Sequence, residues 1–384
     1  MNYLQLATDF LQSKLKGKYI HLETILPILT NLSSDLKVSE IGKSVQDRAI
    51  YKVEFGVGKT KILMWSQMHG NEATTTKGLF DFFNFLQSDS EIAKNIKQNY
   101  TLLCIPMLNP DGCFLYTREN ANGVDLNRDA FLATQPEMKV LRAVYEDFQP
   151  DCCYNLHDQR TIFGTEGFNL PATISFLSPA YNDEREYNDV RLSAIQVINK
   201  MNKVLQQYIP NQIGRFDDSY NVNCTGDYFT TQKTPTILFE AGHYNNDYDR
   251  DLVRKYVFTA LLSSFSDSYE NVIVDNELSN YLNIPQNNKS FYDFIYKNVK
   301  IIDNNEEKII NFAAQYTEVV SEGELKFVAE IVKIDDLQNF NGHIEYDCAG
   351  GLFSINGNNF PKIGDKASFF IDNLTKFNNG VKII

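Results

Sequence analysis

The sequence places a histidine and a glutamate three positions apart, where a predicted strand gives way to a helix. His69 and Glu72, in the motif HGNE, follow the apolar run of residues 61–67, which has the length of a buried strand. At this spacing an imidazole and a carboxylate can face one cation. Zinc accepts nitrogen and oxygen ligands and usually takes three from the protein at a catalytic site. The pair therefore indicates a metal site, although a histidine and a glutamate at a helix start also occur without a metal.

The chain contains only five histidines, which limits the choice of a third ligand. His157 follows the apolar strand predicted over residues 151–156, and His243 lies three residues after Glu240 at the end of another predicted strand. Ligand sites of α/β sheets lie at the carboxyl ends of strands. This rule favours His157 and leaves His243 as the alternative.

Two further segments carry residues suited to hydrolytic chemistry. Residues 117–128, TRENANGVDLNR, place Arg118 and Arg128 in one short stretch. The rigid fork of an arginine suits carboxylates and developing oxyanions, but an exposed loop with solvated charges has the same composition. Glu240 ends an apolar strand shortly before a glycine, so it is either a general base or a hydrogen-bonded acid at the edge of the core.

Apolar strands alternate with helical periodicity over the first 270 residues. Strands are predicted over residues 47–55, 61–67, 100–107, 151–157, 173–177 and 234–239, and helices over residues 3–15, 22–32, 75–86, 136–148, 187–208 and 250–269. The strands are apolar without alternation, which is typical of a sheet buried on both faces. The pattern therefore predicts an α/β fold with helices on both faces of the sheet.

The character of the sequence changes near residue 275. Asparagine and aspartate accumulate over residues 271–288, which predicts a linker. Short β-type runs follow over residues 327–334, 343–346, 352–355 and 367–371. We therefore expect two domains, an α/β domain over residues 1–285 and a small β-rich domain of unknown role over residues 286–384.

Composition restricts the partners and the compartment. The chain has 384 residues with 36 basic and 49 acidic side chains, a formal net charge of −13. That charge repels phosphate backbones and argues against nucleic acid as the main partner. No signal peptide and no run of about 18 apolar residues is seen, so no membrane association is expected. Six cysteines are too sparse for a disulfide scaffold and favour the reducing cytoplasm. The oligomeric state stays open.

Five motifs in a fixed order resemble those of the zinc carboxypeptidase family, the funnelin-type (M14-like) metallocarboxypeptidases. They are HGNE (69–72), NPDG (109–112), TRENANGVDLNRD (117–129), NLH (155–157) and LFEAG (238–242). They extend over roughly residues 60–245 and leave the last 100 residues uncovered. The resemblance implies a mixed, mostly parallel sheet of the zinc-peptidase type.

The resemblance also implies a metal centre and a proton carrier. His69, Glu72 and His157 would bind one zinc ion, with a water molecule in the open position. Asp125 would orient the imidazole of His69, a role that metal-bound histidines usually need filled. Glu240 would be the general base, taking a proton from the water and later protonating the leaving amine.

Further residues would bind the substrate. By the same resemblance, Arg118 would polarise the scissile carbonyl and stabilise the oxyanion, and Asn127 and Arg128 would hold the terminal carboxylate of the substrate. The family also uses a mobile tyrosine over the end of the substrate. Tyr220 has the corresponding position, with Tyr228 and Tyr244 as alternatives.

The sequence departs from the family pattern at two positions. Asp129 stands where a neutral amide is usual, which would bring negative charge near the carboxylate-binding residues. His157 is followed by Asp158, where a small residue is expected.

The predicted activity is hydrolysis of the C-terminal peptide bond of a peptide by a zinc-dependent metallocarboxypeptidase. The alternative is an N-acyl amino acid deacylase resembling the related succinylglutamate desuccinylase and aspartoacylase branch, which shares HGNE and also carries a C-terminal β domain. The motifs NPDG and NANGVDLNR favour the carboxypeptidases. A binding module without activity is disfavoured, because every chemical position is filled.

Overall fold

The structure, a computed structural model, describes residues 1–265 and 276–383. The chain divides into two units. Unit 1 consists of Met1–Gln159 and Thr165–Asn287, and unit 2 consists of Arg160–Gly164 and Asn288–Ile384. Unit 1 has the predicted α/β character and unit 2 the predicted β character.

Unit 1 is built around an eight-stranded sheet. Along residues 37–241 the strands are β1 (Lys37–Lys43), β2 (Ala49–Gly56), β3 (Thr60–Ser66), β4 (Tyr100–Ile105), β5 (Cys152–Asp158), β6 (Phe163–Thr165), β7 (Ile174–Leu177), β8 (Ile213–Arg215) and β9 (Thr236–Ala241). All except β6 belong to this sheet, in the order β1-β2-β4-β3-β5-β9-β7-β8. The central strands β4, β3, β5 and β9 are parallel, whereas β1, β2 and β7 make antiparallel pairs. The predicted mixed, mostly parallel sheet is confirmed.

Helices cover both faces of this sheet. They are α1 (Tyr3–Asp9), α2 (Leu22–Leu29), α3 (Thr74–Leu86), α4 (Glu91–Asn99), α5 (Pro110–Leu115), α6 (Pro136–Phe148), α7 (Asp189–Leu205), α8 (Thr225–Thr231), α9 (Val253–Ser264) and α10 (Glu277–Leu282), with a short 3-10 turn at Leu126–Arg128. Among the helices of the described residues, none is long and apolar enough to cross a membrane.

The side chains of β3 show why the strand is apolar on both sides. Ile62 and Met64 join the core beneath α3, α7 and α9, while Leu63 and Trp65 join the core beneath α6 and α8. Successive side chains of a strand point to opposite faces, so a strand with two covered faces needs an unbroken apolar run. The sequence KILMWS within β3 meets that need.

The carboxyl ends of β3, β5 and β9 meet at one edge of the sheet. The three strands are adjacent and parallel, with Ser66 opposite Leu156 and His157 opposite Glu240. Parallel neighbours end on the same side, which is where α/β sheets place their ligand sites. The motifs HGNE, NLH and LFEAG therefore come together although up to 170 residues separate them in the sequence.

Unit 2 contains two four-stranded sheets. Its strands are β10 (Asn287–Lys289), β11 (Phe291–Asp303), β12 (Glu306–Ser321), β13 (Glu324–Ile334), β14 (Asn341–Asp347), β15 (Phe353–Ser354), β16 (Phe370–Ile371), β17 (Thr375–Asn378) and β18 (Val381–Lys382). One sheet has the order β13-β12-β11-β14 and the other β15-β16-β17-β18, while β10 pairs with β6. An aromatic core fills unit 2, with Tyr296, Phe312, Phe369 and Phe377 among its members.

The segment predicted to be a linker, residues 271–288, is packed in its described part. In α10 the Tyr281 side chain is fully buried, and its hydroxyl accepts a hydrogen bond of 3.1 Å from the backbone N–H of Ser178. Ile284 also belongs to the core of unit 1. The composition is linker-like, but these apolar anchors hold the segment on unit 1. Residues 271–275 and the end of the helix predicted over 250–269 lie outside the described residues.

The division of the chain also differs in position from the predicted one. Unit 1 ends at Asn287, two residues after the predicted boundary, and unit 2 takes in the internal segment Arg160–Gly164. Within unit 2 this segment is held by a hydrogen bond of 3.2 Å from Ser290 N–H to the Ile162 carbonyl. A pairing between such distant parts of the chain leaves no local signal in the sequence.

Candidate active site

The site begins with three side chains at the edge of the sheet. His69 and Glu72 lie in the turn between β3 and α3, and His157 is the last residue but one of β5. Their exposed fractions are 1%, 9% and 2%, so all three are withdrawn from solvent. The structure brings the three predicted ligands together.

The atoms of these side chains converge on one point. Nδ1 of His69 is 2.8 Å from Oε1 of Glu72, and Nδ1 of His157 is 2.8 Å from Oε2 of the same carboxylate. The two Nδ1 atoms are 3.1 Å apart. One ligand atom from each residue lies within 4.8 Å of the others, and this is the cluster of metal-binding type found among the described residues.

This donor set fits a zinc ion. Two imidazole nitrogens and a carboxylate are the ligands of many catalytic zinc sites, which keep the fourth position open. Nε2 of His69 is 2.9 Å from Oδ1 of Asp125, so the ring is held from behind while its Nδ1 faces the cluster. Such a hydrogen bond fixes the orientation of a metal-binding imidazole. The structure therefore brings Asp125 next to His69.

Arg118 supplies a positive charge beside the cluster. Its Nε donates to Oδ2 of Asp125 at 3.1 Å, and one Nη1 atom lies 3.2 Å from both Glu72 Oε1 and His69 Nδ1. The side chain is about two-fifths exposed, so one side of the guanidinium faces solvent. It is therefore within reach of both the cluster and a molecule bound at the open side.

The charges in the cluster shift the pKa of each member. Burial alone would raise the pKa of Glu72, but the neighbouring imidazoles hold it well below its usual range. Burial would also raise the pKa of Asp125, which the hydrogen bond to His69 and the charges of His69 and Arg118 lower. The pKa of His157 is lowered by burial. For His69 the carboxylates of Glu72 and Asp125 outweigh burial and raise the pKa.

Glu240 lies on β9 beside His157, its partner in the parallel register. Its Oε2 is buried and has no hydrogen-bond partner among the residues that the structure describes. Burial, reinforced by the charges of Glu72 and Asp158, raises the pKa of Glu240 well above its ordinary value. A carboxyl group with a raised pKa, on the strand next to His157, is suited to take up and return a proton.

The motif NPDG supports the turn that carries His69. A Cβ atom on Gly70 would lie 1.9 Å from the backbone carbon of Gly112, so only glycine allows this contact. Asn109 holds the other side, donating from Nδ2 to the Met68 carbonyl at 3.1 Å and accepting from Gly112 N–H at 2.9 Å. The two motifs therefore form one packed pair of turns.

Asn127 and Arg128 lie in the 3-10 turn that follows Asp125. Oδ1 of Asn127 accepts a hydrogen bond of 2.9 Å from the backbone N–H of Thr225, at the start of α8. The Arg128 side chain is exposed, and its Nη1 donates to the Asn127 carbonyl at 2.7 Å. The exposed guanidinium leaves Arg128 available for an external carboxylate.

The three tyrosines considered for the mobile role have different surroundings. Tyr220 is half-buried, with its hydroxyl 3.4 Å from Oγ1 of Thr231. Tyr228 is buried under the guanidinium of Arg142, 4.5 Å from its ring centre. Tyr244 packs against Tyr256.

His243 and Asp129 have roles away from the cluster. His243 is fully buried against the ring of Tyr248 and is not among the clustered ligands. The carboxylate of Asp129 accepts hydrogen bonds from the backbone N–H groups of Thr134 and Gln135 at 2.9 and 2.8 Å. These groups precede α6, so the charge of Asp129 stabilises the helix start.

Two residues that support the site were not predicted. Asp158 accepts hydrogen bonds from the backbone N–H groups of Thr74 and Thr75, at the start of α3. Arg250 is buried and donates to the carbonyl of Ala241, the last residue of β9, at 2.9 Å and to that of Gln159, just after β5, at 3.0 Å. Both contacts join segments far apart in sequence, and only the unusual acid after His157 drew attention to either.

Comparison with known proteins finds similarity to carboxypeptidases over part of the chain. Residues 24–148 match the family model described as zinc carboxypeptidase. Carboxypeptidase E of Caenorhabditis elegans is 29% identical over 142 residues, covering 31% of this chain and 29% of that protein. Carboxypeptidase N catalytic chain of Homo sapiens is 28% identical over 131 residues, 28% of this chain and 29% of that protein. Carboxypeptidase 2 of Trichophyton rubrum is 25% identical over 100 residues, covering 26% of this chain and 19% of that protein. The chain thus matches less than a third of the length of these relatives.

Solved structures agree on the fold. A putative carboxypeptidase A from Shewanella denitrificans has a TM-score of 0.53 at 18% identity, covering 63% of this chain and 68% of that chain. A metallo-carboxypeptidase from Burkholderia cenocepacia has a TM-score of 0.51 at 15% identity, covering 62% of this chain and 66% of that chain. The chain therefore shares the fold of these solved structures, and its residues 24–148 are similar to zinc carboxypeptidases.

Proposed function

We propose that the chain is a zinc-dependent carboxypeptidase that binds one zinc ion and hydrolyses the C-terminal peptide bond of a peptide. The observation that best supports this proposal is the convergence of His69, Glu72 and His157 at the edge of the sheet, with Glu240 on the adjacent strand. When bound, zinc supplies a Lewis acid for the scissile carbonyl and lowers the pKa of a water molecule at its open position.

The side chains around the cluster would carry out the other catalytic roles. Glu240 takes the proton of the attacking water and returns a proton to the leaving amine, a role worth about 10²–10⁴-fold in rate. Arg118, fixed by Asp125, faces the charge that develops on the carbonyl oxygen. Asp125 keeps His69 in the orientation that directs Nδ1 towards the cluster.

The residues of the turn after Asp125 would bind the C-terminal end of the substrate. The exposed guanidinium of Arg128 and the amide of Asn127 would hold the terminal carboxylate, and Tyr220 would close over it. Because Oδ1 of Asn127 is already engaged with α8, its Nδ2 is the group left to face a carboxylate. Binding at this point aligns the last peptide bond with the cluster. The unpaired thiols make the reducing cytoplasm the proposed compartment.

The second candidate is an N-acyl amino acid deacylase. Its support is the β-rich unit 2, together with the shared HGNE motif. A deacylase would use the same ligands, base and carboxylate-binding residues, so only the substrate separates the two proposals.

The test measures metal content and substrate choice together. The unaltered chain should hold close to one zinc per chain, and His157→Ala should lose it. His243→Ala is the matched control, since it removes a buried histidine outside the cluster and should retain zinc. Loss of zinc from His243→Ala with retention in His157→Ala would overturn the ligand assignment.

Substrate choice is measured with peptides that differ at the C-terminal residue, each as free acid and as C-terminal amide, beside N-acyl amino acids. The free acids should be cleaved much faster than the amides, because only they present a carboxylate to Arg128. In Arg128→Ala this preference should shrink, with a higher KM and a lower kcat. Equal cleavage of acid and amide by the unaltered chain would contradict the carboxylate-binding role. Activity on N-acyl amino acids alone would favour the deacylase.

A further inference from the structure

Asp158 links the two turns that carry the metal ligands. It is the last residue of β5, directly after His157. Its backbone N–H donates to Oε2 of Glu72 at 3.1 Å. Its carboxylate accepts from the N–H groups of Thr74 and Thr75 at 2.8 and 3.2 Å. One residue therefore holds both the Glu72 side chain and the backbone that follows Glu72.

The start of α3 has no acceptor of its own for these groups. The residue before the helix is Ala73, which has no side-chain oxygen, and the first turn contains no acidic residue. The first N–H groups of a helix need outside partners and favour a negative charge. Asp158, at the end of β5, supplies both the hydrogen-bond acceptor and the negative charge. The position of α3, and hence of Glu72 two residues before it, is thereby tied to the end of β5.

We propose that Asp158 is a positioning residue for the metal centre, setting Glu72 at the distance from His157 at which both bind one ion. This inference rests on the proposed function. Neutral side chains at position 158 would keep the backbone bond to Glu72 but weaken the attachment of α3. Residues that orient metal ligands typically change metal affinity or activity 10–100-fold when they are replaced.

The test is a competition titration of Zn²⁺ against a chelator, with the metal-free full-length chain. Asp158→Ala should bind Zn²⁺ about 10–100-fold more weakly than the unaltered chain. Asp158→Asn keeps one oxygen acceptor and should recover part of the affinity, and it covers the case in which Asp158→Ala does not fold. The absorption spectrum of bound Co²⁺ should shift in Asp158→Ala, reporting altered ligand geometry.

Ser90→Ala is the matched control. Ser90 accepts from Ala93 N–H at the start of α4, in the same unit, and has no contact with the cluster. The control should lower the urea midpoint while leaving Zn²⁺ affinity unchanged. Unaltered Zn²⁺ affinity in Asp158→Ala, or an equal loss in Ser90→Ala, would overturn the positioning role and leave the proposed function standing. Failure of the unaltered chain to bind Zn²⁺ would overturn both.

Discussion

Glu240 occupies the end of β9 with one carboxylate oxygen buried and unpartnered among the described residues. Such an atom costs stability, since a buried acceptor without a partner has lost its hydration. A structural role does not explain that cost, because Glu240 holds nothing in place through Oε2. The proposed role as general base accounts for that cost, because a proton acceptor needs a free oxygen.

Glu240→Gln tests that role. The amide has nearly the same shape but cannot accept a proton, so kcat on the best peptide should fall at least 10²-fold. Zinc content and melting temperature should stay close to those of the unaltered chain, and these two measurements serve as the control. Turnover of Glu240→Gln within a few-fold of the unaltered chain would show that another group carries the proton.

Residue types in short motifs were sufficient to predict the cluster, but not its surroundings. His69, Glu72 and His157 are recognisable because metal ligands must be particular residue types at strand ends. The hydrogen bonds of Asp129 and Asp158 were not predicted: Asp129 accepts from the backbone just before α6, and Asp158 accepts from the start of α3, 84 residues away in the sequence. The function of a charged residue depends on which backbone groups the fold brings to it.

At the scale of elements, helix α8 carries a buried acidic residue, Asp227. Asp227 lies in the first turn of α8 and is 7% exposed. Burial raises its pKa to about 7, from an ordinary value of 3.8. Between these two values the folded chain holds a proton at Asp227 that the unfolded chain has lost. The free energy of unfolding must therefore fall as the pH rises through this window.

Asp227→Asn should remove this pH dependence. The variant should gain stability relative to the unaltered chain between pH 5 and pH 8, by at most ~3 kcal/mol at about 1.4 kcal/mol per pKa unit. Urea denaturation at both pH values measures the difference. Asp217→Asn is the control of opposite sign, because its exposed carboxylate has a pKa lowered by hydrogen bonding from Ser219. A constant difference between Asp227→Asn and the unaltered chain would show that Asp227 does not titrate in this range.

The helices and strands whose sequences have a clear apolar pattern were predicted, whereas elements without such a pattern were missed. The strands at the centre of the sheet and the helix Pro136–Phe148 match their predictions because a doubly covered sheet requires apolar runs. The polar helix α4 was missed, and no strand was predicted where β11 and β12 lie, which are 13 and 16 residues long. Helix α4 buries only Ala93 and Ile96, so its sequence carries little of the apolar pattern that identifies a helix. The inner strand β12 is exposed over its first four residues, where a strand pattern is also absent.

At the scale of the whole molecule, the two units are joined by more than one passage of the chain. The chain enters unit 2 at Arg160, returns to unit 1 at Thr165 and enters unit 2 again at Asn288. The first of these passages lies three residues after His157, one of the proposed ligands. The units are therefore not arranged as two consecutive domains, and unit 2 cannot be removed whole by one cut.

A single cut between residues 266 and 275, at an inserted protease site, tests this arrangement. The C-terminal fragment would keep α10, whose residue Glu277 accepts a hydrogen bond of 2.8 Å from Asn199 in unit 1. It would also keep Gln315, which donates to Thr161 within unit 2, and Thr161 lies on the N-terminal fragment. Each fragment contributes residues to both units. The cut protein should therefore elute from gel filtration at the volume of the uncut chain. A denaturing gel should then show two bands. Separation of the fragments without denaturant would contradict the arrangement and restore the independent C-terminal domain that the sequence predicted.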